Sequence, residues 1–200
     1  MHEPPYAELH CRSNFSFLEG GSHPEELVQK AHLLGYEAIA ITDHATLAGV
    51  VRAHGTAKQI AASVQAADAG RTGIKLIIGA HLEPIDAMPL VVWATSRKGY
   101  SQLCQLLTLG YGSSGYAAAR EGHVIGAGGD AKAHACRLSL ADVAAHADGL
   151  LAGVPLAAGA VAGMRDAGGL RDAGEAVLQW REVFDDRLVA LAEVALEGDD

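Results

Sequence analysis

The feature that most constrains the fold is a series of short segments that are apolar on both sides. They read YEAIAITD at 36–43, IKLIIGAHLEP at 74–84 and LVVWAT at 90–95. A strand that is apolar on both sides is buried on both sides, as happens when helices cover the two faces of a parallel sheet. Stretches with helical spacing alternate with most of these segments, so the sequence predicts an α/β fold built from βαβ units.

Further segments extend this pattern. The segment at 22–35 has the ends of a helix, with Pro24 in the first turn and Gly35 just past its end. Other predicted elements are strands in YAELHC, GLLAGVP and RLVALAEVAL, and helices over 47–69, over 99–111, from Ser139 and over 176–184. The Gly- and Ala-rich segment 110–135 is predicted to be a mobile loop. Because the chain ends on a strand without a covering helix, we expect a fold that is incomplete at its C-terminus.

The charge of the chain argues against a surface that grips DNA. There are 24 acidic residues against 15 basic ones, which gives a formal net charge of −9. The densest basic window is the pair Arg97-Lys98, whereas phosphate-binding surfaces cluster many basic residues. We therefore expect contact with DNA only through a longer, full-length protein.

Cysteine content and hydropathy predict a cytoplasmic protein. The three cysteines, Cys11, Cys104 and Cys136, form no CxxC pair, which argues against a disulfide framework and against a structural zinc site. No segment approaches the roughly 20 continuous apolar residues that a membrane-spanning helix needs. The N-terminus lacks the pattern of a secretion signal, so we expect no association with a membrane.

Polar residues stand at the C-terminal ends of three predicted strands. These are Arg12 to Asn14, then Asp43 with His44, and finally His81. The C-terminal ends of parallel strands share one edge, and active sites in such folds lie beyond that edge. The pattern alone therefore predicts a site that joins these residues.

The same residues carry motifs of a known family. The segment LHCRSNFSFLEGGSHPEELVQKAHLLGYEAIAITDHATLAGV at 9–50 resembles the polymerase and histidinol phosphatase (PHP) domain. The family motifs are His-x-His followed by Ser-x-Tyr/Phe-Ser, and then Thr-Asp-His at the end of the second strand. A third motif, Ile-Ile-Gly-x-Glu, is similar to IIGAH at 77–81.

Within this family the chain is most similar to the N-terminal PHP domain of bacterial C-family DNA polymerases, especially their error-prone branch. The phrases AELHCRSNFSFLEGGSHPEELV and LAEVAL carry this resemblance. It implies part of a DNA-directed DNA polymerase, a nucleotidyltransferase that acts in DNA replication, DNA repair, translesion synthesis and damage-induced mutagenesis. The polymerase carboxylates of that group lie downstream of residue 200, so we expect this chain alone to be structural rather than catalytic. The implied partners are the polymerase domain of the same full-length chain, mutagenesis accessory proteins and the sliding clamp.

The resemblance also implies a distorted (β/α) barrel of PHP type with a metal cluster, of zinc or manganese, at the strand C-termini. Carried over residue by residue, His10 matches the first ligand, His44 the histidine of Thr-Asp-His, and Glu19 an acidic ligand of the polymerases. Asp43 would not bind the metal but would orient these ligands through hydrogen bonds. In active members of the family such a cluster hydrolyses phosphoesters by activating a bound water.

Two positions depart from the family pattern. Arg12 stands where the second histidine is expected, and His81 stands where the glutamate is expected. A guanidinium has no lone pair to offer a metal, and at about 4 Å a divalent ion would repel it by roughly 8 kcal/mol in an effective dielectric of about 20. We therefore predict a degenerate site in which Arg12 pairs with Asp43 or Glu19 and takes over the structural role of the metal.

Two other interpretations stay open. The intact His10, Glu19 and His44 favour a stand-alone metal-dependent PHP phosphoesterase, whereas Arg12 and His81 oppose it. A non-catalytic protein-interaction module is the second alternative.

The remaining prediction concerns the core, which is expected to contain Cys11, Trp93 and Trp180.

Overall fold

The computed structural model of the protein describes residues 5–68, 72–120, 136–157 and 167–193. The strands in these ranges are β1 (Ala7–Cys11), β2 (Ala38–Ile41), β3 (Lys75–Leu82), β4 (Leu90–Ala94), β5 (Leu150–Ala157) and β6 (Leu188–Glu193). The helices are α1 (Pro24–Leu33), α2 (Val50–Ala67), α3 (Arg97–Arg120), α4 (Leu140–Ala145) and α5 (Ala167–Phe184). Residues 121–135 of the predicted loop and 194–196 of the predicted last strand lie outside the described residues.

The chain divides into two compact units, and the first one carries the candidate site. The first unit comprises Met1–His81 and Val92–Ala94, and the second comprises Leu82–Val91 and Thr95–Asp200. In the first unit the sheet has the order β1-β2-β3-β4. β1 runs parallel to β2, and β2 runs parallel to β3. The predicted parallel pairing of these strands is confirmed.

The first unit is built around β2, in which every residue is buried. Its isoleucines join a core cluster with residues of α1, of α2 and of the approach to β3, namely Val28, Ala31, Ile39, Ile41, Ala53, Ala57 and Ile74. The helix α1 begins as the sequence predicts. Glu26 completes a capping box with His23, and Pro24 occupies the first turn.

The sheet of the first unit is strongly curved. The indole Nε1 of Trp93 on β4 donates a hydrogen bond of 2.8 Å to the carbonyl oxygen of Leu9 on β1. Two strands lie between β1 and β4, and in a flat sheet three strand spacings would separate them by about 14 Å. The hydrogen bond therefore requires the curvature that strands adopt in barrels.

The second unit contains β5 and β6, which are parallel over the whole length of β6. The side chains of Trp180 and Phe184 on α5 are fully buried. Trp180 Nε1 also donates a hydrogen bond of 3.0 Å to the carbonyl oxygen of Met88. Because Trp93 is only 5% exposed, the prediction that both tryptophans belong to the core is confirmed.

Two helices are longer than the sequence predicts. The helix α3 continues to Arg120, so residues 110–120, predicted as the start of a loop, are helical. The helix α5 begins at Ala167, well before the predicted start at 176. The added turns consist largely of Gly, Ala and Ser, which form no apolar stripe to predict a helix, although alanine itself favours one. Within the described ranges, no helix combines the length and apolar character needed to cross a membrane.

Candidate functional site

Three chain segments of the first unit deliver the six predicted site residues. His10 lies on β1, and Arg12 and Glu19 lie in the segment 12–22 that follows it. Asp43 and His44 follow β2, and His81 lies near the end of β3. The backbone continues the parallel pairing past β2, because His81 N donates to Asp43 O at 3.1 Å and Ala45 N donates to His81 O at 2.8 Å. This pairing holds His44 beside His81.

Asp43 anchors the segment 12–22 to the end of β2. The residue is 1% exposed, and Oδ1 accepts hydrogen bonds from Ser13 N at 2.6 Å and Ser16 Oγ at 2.7 Å. The other oxygen, Oδ2, accepts from Ser13 Oγ at 2.8 Å. Ser16 Oγ in turn accepts from His44 N at 3.0 Å. A buried carboxylate needs such donors, so Asp43 positions the segment that carries Arg12 and Glu19.

The bonds of Ser13 and Ser16 to Asp43, and the close packing at two glycines, were not predicted from the sequence. A Cβ on Gly49 would lie 3.0 Å from Asp43 Oδ2, and a Cβ on Gly20 would lie 2.2 Å from the carbonyl oxygen of Ser13. Glycine is required where backbone or a fixed side chain approaches this closely. The Ser-x-Phe-Ser motif drew attention to both serines, but it does not show that their partner is Asp43.

Arg12 connects the other site residues. Its Nη1 donates to Glu19 Oε2 at 2.6 Å, and its Nη2 donates to His81 Nδ1 at 3.2 Å. The second oxygen of Glu19, Oε1, accepts from His44 Nδ1 at 3.2 Å. The sequence left Asp43 and Glu19 open as partners of Arg12, and in the structure the guanidinium pairs with Glu19.

The contacts of Arg12 decide the protonation state of His81. Because a guanidinium can only donate, Nδ1 of His81 accepts, and the proton of the neutral ring resides on Nε2. Burial, then the charge of Arg12, and then the nearby His10 and His44 together lower the pKa of His81 to about 3. His81 is therefore a neutral imidazole at physiological pH.

Three imidazole rings lie together beside Arg12. The rings of His10 and His81 are stacked, with centroids 5.2 Å apart and an interplanar angle of 7°. The ring of His44 meets His81 edge-on, with centroids 5.6 Å apart. All six predicted site residues thus belong to one group: His10, Arg12, Glu19, Asp43, His44 and His81.

The candidate site residues Glu19, Asp43 and His81 form hydrogen bonds within the protein. Both oxygens of Glu19 accept hydrogen bonds from cationic or imidazole donors, and Nδ1 of His81 accepts from Arg12. Asp43 uses its oxygens for the two serines. In the part of the chain that the structure describes, no group of three or more His, Cys, Asp or Glu residues is placed so that it could hold a metal ion.

Cys11, beside His10 on β1, has the properties of a structural residue. Burial first, and then the charges of Glu8 and Asp43, raise the pKa of its thiol to about 12. The side chain packs against the core cluster of the first unit. A thiol that stays protonated is a poor nucleophile, which agrees with the prediction that Cys11 is a core residue.

Two curated relatives are error-prone DNA polymerases. The one from Rhodopirellula baltica is 39% identical over 197 residues, which are 98% of this chain and 15% of the relative. The one from Dechloromonas aromatica is 49% identical over 109 residues, which are 54% of this chain and 9% of the relative. The chain therefore spans only a small part of the length of the curated relatives that it matches.

A solved structure and a family profile were also matched. A provisionally assigned metal-dependent phosphoesterase from Bifidobacterium adolescentis has a TM-score of 0.49 and 16% identity, over 76% of this chain and 68% of that chain. A structural similarity this low does not support any assignment of family or function to this chain. The profile of the PHP domain matches residues 8–192. The resemblance and the fold type predicted from the motifs are confirmed, and the chain belongs to the PHP domain family.

Proposed function

We propose that this chain is the PHP region of an error-prone C-family DNA polymerase and that it acts there as a structural module with a degenerate metal site. The observation that carries the proposal is the position of Arg12. Its guanidinium lies 2.6 Å from Glu19 and 3.2 Å from His81, at the sequence position of a histidine ligand in the family motif. The names of the curated relatives support the polymerase assignment.

A guanidinium can serve as a permanent replacement for a structural metal ion. It links the segment after β1 with β3 directly, and with the end of β2 through Glu19 and His44. Such a link needs no bound ion, and charge-assisted hydrogen bonds are the stronger kind. It leaves no metal to activate water, so the proposal predicts no phosphoester hydrolysis by this chain.

The finer roles follow from the polymerase assignment. We place the protein in the cytoplasm, in damage-induced mutagenesis, translesion synthesis and DNA repair. The main partner of this region is the polymerase domain of the full-length chain, with mutagenesis accessory proteins and the sliding clamp as further partners. The net charge of −9 supports a role in which other parts of the polymerase contact DNA. A genomic reading frame that continues past Asp200 into polymerase carboxylates would support this assignment, and a stop codon there would contradict it.

Metal analysis tests the degenerate site. The purified chain is incubated with zinc or manganese, desalted and analysed for bound metal, and hydrolysis of p-nitrophenyl phosphate is measured with and without EDTA. We expect substoichiometric metal and no EDTA-sensitive turnover. The matched variant Arg12→His with His81→Glu restores the family motif and should bind more metal. Stoichiometric metal and EDTA-sensitive turnover in the unmodified chain would favour the stand-alone phosphoesterase instead.

A further inference from the structure

The carboxylate of Glu19 is held by two donors from different chain segments. Arg12 Nη1 donates to Oε2 at 2.6 Å, and His44 Nδ1 donates to Oε1 at 3.2 Å. We propose that Arg12 and His44 form a receptor for an oxyanion, a phosphate or carboxylate group, which Glu19 fills from within the chain. The inference deepens the proposed function, since it rests on a site without a metal cluster.

The two donors are held in place by contacts that do not involve Glu19. The second guanidinium nitrogen of Arg12 donates to His81 at 3.2 Å, which leaves Nη1 directed to the anion. The backbone of His44 donates to Ser16 Oγ at 3.0 Å, and the next residue donates to the carbonyl of His81 at 2.8 Å. The receptor should therefore keep its geometry when the carboxylate of Glu19 is removed.

The receptor is accessible and carries an available positive charge. The side chains of Arg12, Glu19 and His44 are 30%, 32% and 35% exposed, so a small anion can reach the donors from solvent. The nearby carboxylate of Asp43 is 1% exposed and is surrounded by hydrogen-bond donors from Ser13 and Ser16. With the carboxylate of Glu19 absent, no acidic oxygen in the described contacts of Arg12 would balance its charge.

Competition with Glu19 sets the expected affinity. A group on the same chain has a high effective concentration at its receptor, so an external anion must displace it to bind the natural protein. Removing the carboxylate by Glu19→Ala eliminates the competitor and leaves both donors in place. We expect this variant to bind inorganic phosphate at least tenfold more tightly than the natural protein.

The chain contains a matched control for this experiment. Arg52 Nε pairs with Glu25 Oε1 at 2.5 Å, and within the described residues His23 lies near this carboxylate without an imidazole hydrogen bond to it. The variant Glu25→Ala therefore frees a guanidinium without creating a two-donor receptor. It should respond to anions as the natural protein does.

The experiment is a titration of thermal unfolding in EDTA. Sodium phosphate, sodium acetate or sodium chloride of equal ionic strength is added to the natural protein and to Glu19→Ala and Glu25→Ala. A ligand that binds only the folded state raises the unfolding midpoint in a saturable way. We expect saturable stabilisation of Glu19→Ala by phosphate or acetate. Comparing the two titrations shows whether the receptor prefers a phosphate or a carboxylate group. Adding Arg12→Gln to Glu19→Ala should abolish the response.

Two outcomes would overturn the inference, and they are distinguishable. If Glu19→Ala responds to phosphate and acetate no more than Glu25→Ala does, both in EDTA and in a repeat with manganese in place of EDTA, the receptor does not exist but the proposed function stands. If the response occurs only with manganese in place of EDTA, the proposed degenerate site is wrong as well. Should Glu19→Ala fail to fold, Glu19→Gln is used instead, because it removes the charge while keeping the shape. Its phosphate binding is measured by calorimetry and compared with that of Glu25→Ala, and the same two outcomes would overturn the inference.

Discussion

The neutral His81 beside Arg12 should make folding stability sensitive to mild acid. The pKa of His81 falls from the ordinary 6.5 to about 3 in the folded protein, first because of burial and then because of Arg12. Between these values the unfolded chain binds a proton that the folded chain does not, so stability is lost as pH falls from about 6.5 toward 3. For one such group the loss between pH 7 and pH 5 is about 2 kcal/mol. His81 is 4% exposed, so solvent screening reduces this value little.

The assay is urea unfolding at 25 °C and at several pH values from 7 to 5, above the range in which most carboxylates titrate. The test variant is His81→Asn, whose amide oxygen can still accept from Arg12 but cannot be protonated in this range. The control is His54→Asn, at an exposed position on α2. The natural protein and the control should each lose about 2 kcal/mol more than His81→Asn does. Equal losses in all three proteins would refute the reasoning.

Two further predictions concern the anchoring of the segment 12–22. Gly20→Ala places a Cβ 2.2 Å from Ser13 O, whereas Gly21→Ala meets nothing within 4 Å, so the first should lower the free energy of unfolding by more than about 2 kcal/mol and the second should change it little. Equal midpoints for the two variants would contradict the close approach. Asp43→Asn replaces one carboxylate oxygen with an amide nitrogen and removes the negative charge on which three donors converge. It should lower the free energy of unfolding by about 2–3 kcal/mol. A Ser16→Ala variant that costs as much as Asp43→Asn would show that the carboxylate is not the centre of this network.

Much of the fold could be predicted from the sequence because buried parallel strands leave a strong local signal. Segments such as 36–43 are apolar on both sides, and that pattern fits few other environments. The boundaries of α3 and α5 were missed, because small residues carry no periodic signal and their helical state depends on what the helix packs against. The same limit applies wherever tertiary contacts outweigh local preference.

The candidate site was predictable in its membership but not in its contacts. The motifs and the strand ends identified His10, Asp43 and His44 as neighbours, since parallel strands bring their C-terminal ends to one edge. The partner of Arg12 could not be chosen, because Asp43 and Glu19 are both acidic and both were predicted to belong to the site. The choice depends on the path of the segment 12–22, which no residue pattern specifies.

By itself, the sequence determined the α/β fold of PHP type and the presence of a permanent cation, Arg12, among candidate metal ligands, because both follow from residue identity. Only the tertiary structure decided that buried Asp43 is satisfied by Ser13 and Ser16, which leaves Glu19 to pair with Arg12. The physical reason is that a buried carboxylate takes the nearest fixed donors. Which donors are nearest is a property of how the chain folds back on itself.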